Sequence, residues 1–182
     1  QIPAGRVTTY GDLADALGNR VAARWVGHYL LHHDHAAGCP CHRVVRADGT
    51  LGAFIETDHQ RKHRRLASEG VTLRGDRVEL ASFRFTDFIS DRPLARLRDV
   101  QRRLAERVTL ETLTRPPRTV AGVDVSYVDE NHAVGAYVLA DVATADTVWT
   151  TTVRSPVRFP YVTSYLSFRE LPVYLELIAA AR

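Results

Sequence analysis

The sequence predicts an α+β chain of two domains, and three observations carry that expectation. A chain of 182 residues with 45% apolar side chains is enough for one ordinary domain or two small ones, each with a core. Residues 1–80 read as short helices with a few short strands, and 91–182 read as helix, three strands, helix. Between them 81–90 has no clear period and is expected to be a linker.

The first stretch, 2–10, is a turn followed by an extended piece that leads into a short helix over 11–17, closed by Gly18. Val21, Trp25 and Tyr29 then recur at helical spacing, with Val26 and Leu30 in a parallel row. Two helices joined by a tight Gly-Asn turn suggest a helix-turn-helix unit, which serves either DNA binding or a plain structural corner. A polar loop with His32, His33 and His35 follows. Val44-Val45 is expected as a strand, 47–50 as a hairpin turn and 51–54 as the returning strand. Thr57 can cap a helix over 58–69, and its Arg61, Lys62, Arg64 and Arg65 read as a solvated face or as phosphate contacts. Residues 77–80 give one more strand pattern.

In the second part, Leu94, Leu97, Leu104 and Val108 make an amphipathic helix over 91–108, and Pro116-Pro117 prevents its continuation. Strand-like runs at 120–128, 133–142 and 147–153, joined by short polar connections, predict an antiparallel meander. A helix over 166–181 is expected to lie on that sheet.

The formal charge is only +3, so charge alone does not argue for nucleic acid. Lys62 is the sole lysine. The arginine bias suits phosphate and base recognition, and codon usage in a GC-rich genome would explain it equally well. Two cysteines one residue apart cannot build a disulfide framework, and no leading apolar segment resembles a signal peptide or membrane span. A reducing, cytoplasmic setting away from membranes is therefore expected. The chain has no methionine and begins inside a motif, so it is expected to be part of a longer protein.

The chemistry concentrates in Gly38-Cys39-Pro40-Cys41-His42-Arg43. A thiol is mostly protonated near neutrality, but a neighbouring imidazole and cationic surroundings make the thiolate available for attack. Cys41 is the candidate nucleophile. The alternatives are that Cys39 and Cys41 are small core residues or an oxidation-prone pair, or that they bind a metal together with the nearby histidines. Against the metal stands a gap shorter than structural zinc sites use.

Four separated blocks, 2–11, 23–27, 40–52 and 69–70, closely resemble the C-terminal domain of O6-alkylguanine-DNA alkyltransferases, a helix-turn-helix, winged-helix-like fold. The resemblance implies that an alkylated guanine is flipped out of double-stranded DNA and gives its alkyl group irreversibly to Cys41, with no cofactor. It implies His42 as the base acting through a water, Glu69 as the carboxylate orienting His42, and Tyr10, Arg24 and Arg43 as DNA-binding residues. Arg24 would fill the vacated stack, and Tyr10 would crowd the 3′ phosphate. Two departures are plain: His33 stands where the family usually has asparagine, and 53–57 replaces the usual pocket loop. The related alkyltransferase-like proteins, which bind the lesion without transfer, lack the cysteine.

The second part resembles the N-terminal half of endonuclease V, through 101–108, 121–127, 159–162 and 166–170. That resemblance implies part of a ribonuclease H-like domain that cleaves DNA near deaminated bases. Asp124 and Glu170 would be two of its Mg2+ ligands, and Tyr161 would belong to the strand-parting wedge, with Thr163 and Ser164 in place of the usual Pro-Gly. In an apolar strand, Asp124 is expected to need a buried partner. The third carboxylate and a later catalytic histidine of that family would lie past Arg182, which leaves a sheet edge unpaired. A monomeric DNA-repair fusion is the combined expectation, with nuclease-dominated activity or lesion binding without transfer as its alternatives.

Overall fold

The computed structural model describes residues 1–36, 38–54 and 59–181, and their contacts divide into two compact units, Gln1–Glu106 and Arg107–Arg182. The chain is mixed α and β in two parts, but the division falls later than 81–90. That stretch is held in the first unit: Val7 donates its N–H to the Phe83 carbonyl at 2.9 Å and Phe85 donates to the Val7 carbonyl at 2.7 Å.

In the first unit β1 (Thr8–Thr9) runs without a loop into α1 (Tyr10–Leu17). Thr9 is both strand residue and helix cap: its side chain accepts from the Asp12 N–H at 3.1 Å, and Asp12 accepts from the Thr9 N–H at 3.0 Å. Burial would raise the Asp12 carboxyl, but hydrogen bonds from Arg84 and Thr9 hold it below the usual range. Gly18 closes α1 at φ 99°, and a side chain there would also meet the Ala95 backbone nitrogen at 2.7 Å, so a bare backbone is required twice over. A 3-10 turn, Arg20–Ala22, precedes α2 (Ala23–His32), so the expected single helix is split at its start.

β2 (Val44–Val45) does not pair with 51–54 as a hairpin; it pairs in parallel with β1, Thr8 opposite Val44 and Thr9 opposite Val45. The 46–50 turn does close, through Arg46 N–H to Thr50 O at 2.8 Å, but Leu51 then donates to Asp76 and joins the β3 (Leu73–Arg74) and β4 (Arg77–Val78) hairpin instead. Strands of two residues carry too little alternation to name their partners. A short helix, α4 (Leu80–Phe83), replaces the end of the expected 77–80 strand. The core is Val7, Val45, Leu51, Leu66, Val71 and Val78. The amphipathic helix α5 (Pro93–Ala105) belongs to this unit and buries Leu94.

In α3 (His59–Ser68) Lys62 is fully buried, although the basic run around it read as a solvated face. Lys62 and Leu66 lie one turn apart and both point inward. Lys62 Nζ donates to the Val44 carbonyl at 2.5 Å and to the Leu51 carbonyl, joining β2 to the segment after the turn. Thr57 and Asp58, the expected cap and first residue of this helix, lie outside the described residues. Burial lowers the Lys62 ammonium from 10.5 to about 8. Its folded pKa lies below its unfolded one, so between them the unfolded chain holds the extra proton and stability rises with pH. From pH 8 to 9 the unfolding free energy of wild type should gain up to about 1 kcal/mol over that of Lys62→Met, a difference in which the thiols, present in both proteins, largely cancel. Denaturant titrations at the two pH values check this, and parallel curves would refute it.

The second unit is an antiparallel meander, β5 (Thr119–Tyr127), β6 (His132–Asp141) and β7 (Thr147–Pro156), in that order, with α6 (Leu166–Ala180) packed on it. All three strands appear where the strand-like runs placed them, within a few residues at their ends. α6 approaches closely at Gly135, where an added Cβ would meet Val173 Cγ1 at 2.5 Å. Among the described residues β5 has a single ladder partner, β6, so its other edge is open. No helix of the described residues is long and apolar enough to cross a membrane.

Candidate active site

The 3-10 turn Pro40–Arg43 presents Cys41 and His42, both 6% exposed, and hands the chain to β2, whose pairing with β1 fixes the turn against the start of α1. Glu69, just past the end of α3, reaches this turn. His42 Nε2 lies 2.8 Å from Glu69 Oε1, and Arg43 donates from Nε to Oε2 at 2.9 Å and from Nη2 to Oε1 at 2.8 Å. The Gly5 N–H adds a contact to Oε2 at 3.3 Å. Burial would raise the Glu69 carboxyl, but hydrogen bonds from Arg43, His42 and Gly5 bring it down to about 2. Glu69 is therefore anionic over the whole working range.

That pairing has a chemical consequence. Once His42 offers its Nε2–H to the carboxylate, Nδ1 is left as the basic nitrogen, and Nδ1 is buried without a hydrogen-bond partner. The structure thus brings His42 and Glu69 together as expected. Arg43 requires a correction. It was expected at DNA, but all three of its guanidinium nitrogens are used inside the protein, Nη1 donating to the Ile2 carbonyl at 2.7 Å. Its place is to hold Glu69 and the first residues of the chain.

The Cys41 thiol has its hydrogen-bond contact with a histidine other than His42. Its Sγ lies 3.3 Å from His35 Nδ1, a residue the sequence placed in a polar loop and offered only as a possible metal ligand. Burial, then the hydrogen bond and charge of Cys39, push Cys41 up to about 11, so the resting thiol is protonated. Cys39 is shifted the opposite way: burial raises it, but hydrogen bonds from His33 and Cys41 prevail.

Tyr10 opens α1 and stands beside this turn, its hydroxyl donating to the Ala53 carbonyl at 3.4 Å. Burial raises its pKa, Arg46 lowers it and the Cys41 charge raises it, which places phenol and thiol in one electrostatic neighbourhood. Of the 53–57 loop, Phe54 is buried and 55–57 lie outside the described residues. Arg24, second residue of α2, is exposed.

In the second unit Asp124 is exposed on β5, so the expectation that it needs a buried partner fails. Glu170, on α6, accepts from the Tyr174 hydroxyl at 2.9 Å. Burial, the Glu170 hydrogen bond and the charges of Glu170 and Asp124 push Tyr174 up to about 12. Both carboxylates therefore act on one phenol. Tyr174 went unnoticed in the sequence, although its place one turn after Glu170 on an amphipathic helix was the available signal. Tyr161 is 61% exposed. Arg169 lies over the Tyr127 ring at 4.2 Å and donates to the Phe159 carbonyl at 2.7 Å, so it braces the 159–162 segment.

Comparison with known proteins agrees with this division. Residues 1–71 match the family 6-O-methylguanine DNA methyltransferase, DNA binding domain, and residues 102–182 match the family endonuclease V. A "bifunctional methyltransferase/endonuclease" of Picrophilus torridus is 36% identical over 177 residues, 97% of this chain and 57% of that protein. One of Thermoplasma volcanium is 35% identical over 93% of this chain and 52% of its own length. The chain thus spans little more than half the length of these curated relatives. The "DNA base-flipping protein" of Escherichia coli is 40% identical over 85 residues, 46% of this chain and 65% of that protein. The chain is thus similar in its first part to the 6-O-methylguanine DNA methyltransferase family, DNA binding domain, and in its second to the endonuclease V family.

Proposed function

We propose that this chain serves DNA repair, its first part accepting an alkyl group from O6-alkylguanine in double-stranded DNA onto Cys41. The observation that carries the reading is the buried, unpartnered Nδ1 of His42, in the residue next to the thiol, with the tautomer set by Glu69. In the step, Cys41 Sγ bonds to the alkyl carbon and the carbon–O6 bond breaks with its electrons passing to the guanine. The thiol proton goes to His42 Nδ1, and the guanine takes up a proton to regain neutrality. A thioether is stable, so each molecule acts once. Arg24 and Tyr10, at the start of α2 and α1, would meet the flipped-out nucleotide and its phosphate within a helix-turn-helix arrangement.

For the second part we propose endonuclease V chemistry on DNA with deaminated bases, exercised by a longer chain with a ribonuclease H-like fold. Asp124 and Glu170 would each offer carboxylate oxygens of the type magnesium takes, and the charges of both reach Tyr174. Bound there, the ion supplies charge stabilisation at the scissile phosphate. Tyr161, which is exposed, would wedge between the strands.

One observation favours a second reading, lesion binding without transfer: the thiol is held protonated and rests on His35 rather than His42. The experiment that decides is incubation with a duplex carrying one O6-methylguanine, followed by mass measurement of the peptide containing Cys41. A stoichiometric gain of one methyl group is expected. Tight DNA binding with an unmodified peptide would overturn transfer in favour of recognition.

A further inference from the structure

The loop between α2 and the active-site turn gathers four soft ligands. His33, His35, Cys39 and Cys41 each offer a ligand atom, and all four atoms lie within 4.8 Å of one another. His33 Nε2 is 3.1 Å from Cys39 Sγ, Cys41 Sγ is 3.3 Å from His35 Nδ1, and the two imidazole rings sit 4.0 Å apart. A tetrahedral zinc with bonds near 2.0–2.3 Å needs ligand atoms roughly 3.3–3.8 Å apart, so small movements of a loop suffice.

Two details favour a metal over a fortuitous cluster. His33 Nδ1 lies 3.2 Å from the Tyr29 carbonyl, the bond that commits Nδ1 as donor and turns the Nε2 lone pair toward Cys39. His35 has both nitrogens at the cluster's disposal: Nδ1 faces Cys41, and Nε2 is buried without a partner. Two sulfurs and two imidazoles are a donor set that selects zinc over magnesium or calcium. His33 occupies the position noted above as a departure from the alkyltransferase pattern, and Cys39 supplies the second thiol. The one-residue gap between the cysteines counted against a metal on spacing alone, but the 3-10 turn at Pro40 brings both sulfurs to one side.

We propose that His33, His35, Cys39 and Cys41 form a tetrahedral zinc site that takes the acceptor thiol as a ligand, so that zinc occupancy and alkylation of Cys41 exclude one another. Zinc enters with loss of the two thiol protons, and alkylation of Sγ removes one ligand. The consequence for repair rests on Cys41 being the acceptor; the site itself does not. Zinc release would then be the step that arms the protein.

The test uses the whole chain under reductant, with cobalt(II) as the optical probe and zinc as competitor. Expected is one cobalt per chain, with the intense visible bands of tetrahedral cobalt and thiolate-to-cobalt charge transfer, both abolished by zinc. Cys39→Ala and His33→Asn, confirmed folded by circular dichroism, should each weaken binding at least about 100-fold, beyond the 10–100-fold typical of losing a supporting group. Zinc should also slow iodoacetamide labelling of Cys41 at least about tenfold in wild type and not in Cys39→Ala. An octahedral spectrum, unchanged affinity in both variants, or labelling indifferent to zinc overturns the proposal. Because labelling needs no DNA, its outcome is separate from that of the methyl-transfer measurement.

Discussion

Cys41→Ser is expected to abolish methyl uptake from O6-methylguanine DNA, with a rate loss on the order of 10⁴-fold or more, while duplex binding changes little. Serine keeps the shape and a donor for the His35 contact at 3.3 Å, so the turn that positions it should survive. What it loses is the nucleophile: a hydroxyl is far harder to deprotonate than a thiol, and its oxygen is a poorer partner for a saturated carbon. Burial and Cys39 raise the thiol, so the proposed transfer needs a base to take its proton, the part assigned to His42. Single-turnover assays with labelled duplex, paired with binding titrations, check this. Residual transfer within tenfold of wild type would locate the acceptor elsewhere.

Glu69→Ala should be the most damaging substitution that leaves the acceptor intact. Glu69 takes hydrogen bonds from both Arg43 and His42 while only 17% of its side chain is exposed. Removing it strands a guanidinium and an imidazole, which costs about 2–4 kcal/mol. Transfer should fall by about 10² or more, because His42 loses the acceptor that fixes its tautomer. Glu69→Gln separates the two effects: its carbonyl can satisfy one partner, so stability recovers in part while the rate does not. The pH dependence carries the same signature. The folded pKa of about 2 lies below the unfolded 4.5, so the stability is fully present above pH 4.5 and is lost as pH falls toward 2. Acid denaturation curves of wild type should show this loss, and those of Glu69→Gln should lack it.

Much of this was legible in the sequence, for identifiable reasons. Three strand-like runs joined by short polar connections announced the meander, and Gly18 announced the end of α1, where its backbone is left-handed. The adjacent thiol and imidazole marked the chemistry. What stayed hidden were pairings across the chain. Arg43 read as a DNA contact because its partner, Glu69, lies 26 residues away. Lys62 read as solvated because Arg61, Arg64 and Arg65 around it masked its one-turn spacing from Leu66. Asp124 read as buried because its strand is apolar, whereas β5 has exposed positions and, among the described residues, pairs only with β6. His35 became part of the site only when the loop closed on Cys41.

The loopless passage from β1 to α1 bears on where mechanical work is done. Thr8 and Thr9 are buried, Thr9 is pinned by Asp12, and Asp12 is gripped in turn by Arg84 at 2.6 Å and 3.1 Å. Tyr10 follows at once, with no slack on its N-terminal side. It is a fixed post rather than a lever, so under the proposed function a nucleotide forced past it would have to yield by turning about its own sugar–phosphate bonds. The deformation would then be borne by the softer polymer, with the protein keeping its resting geometry throughout.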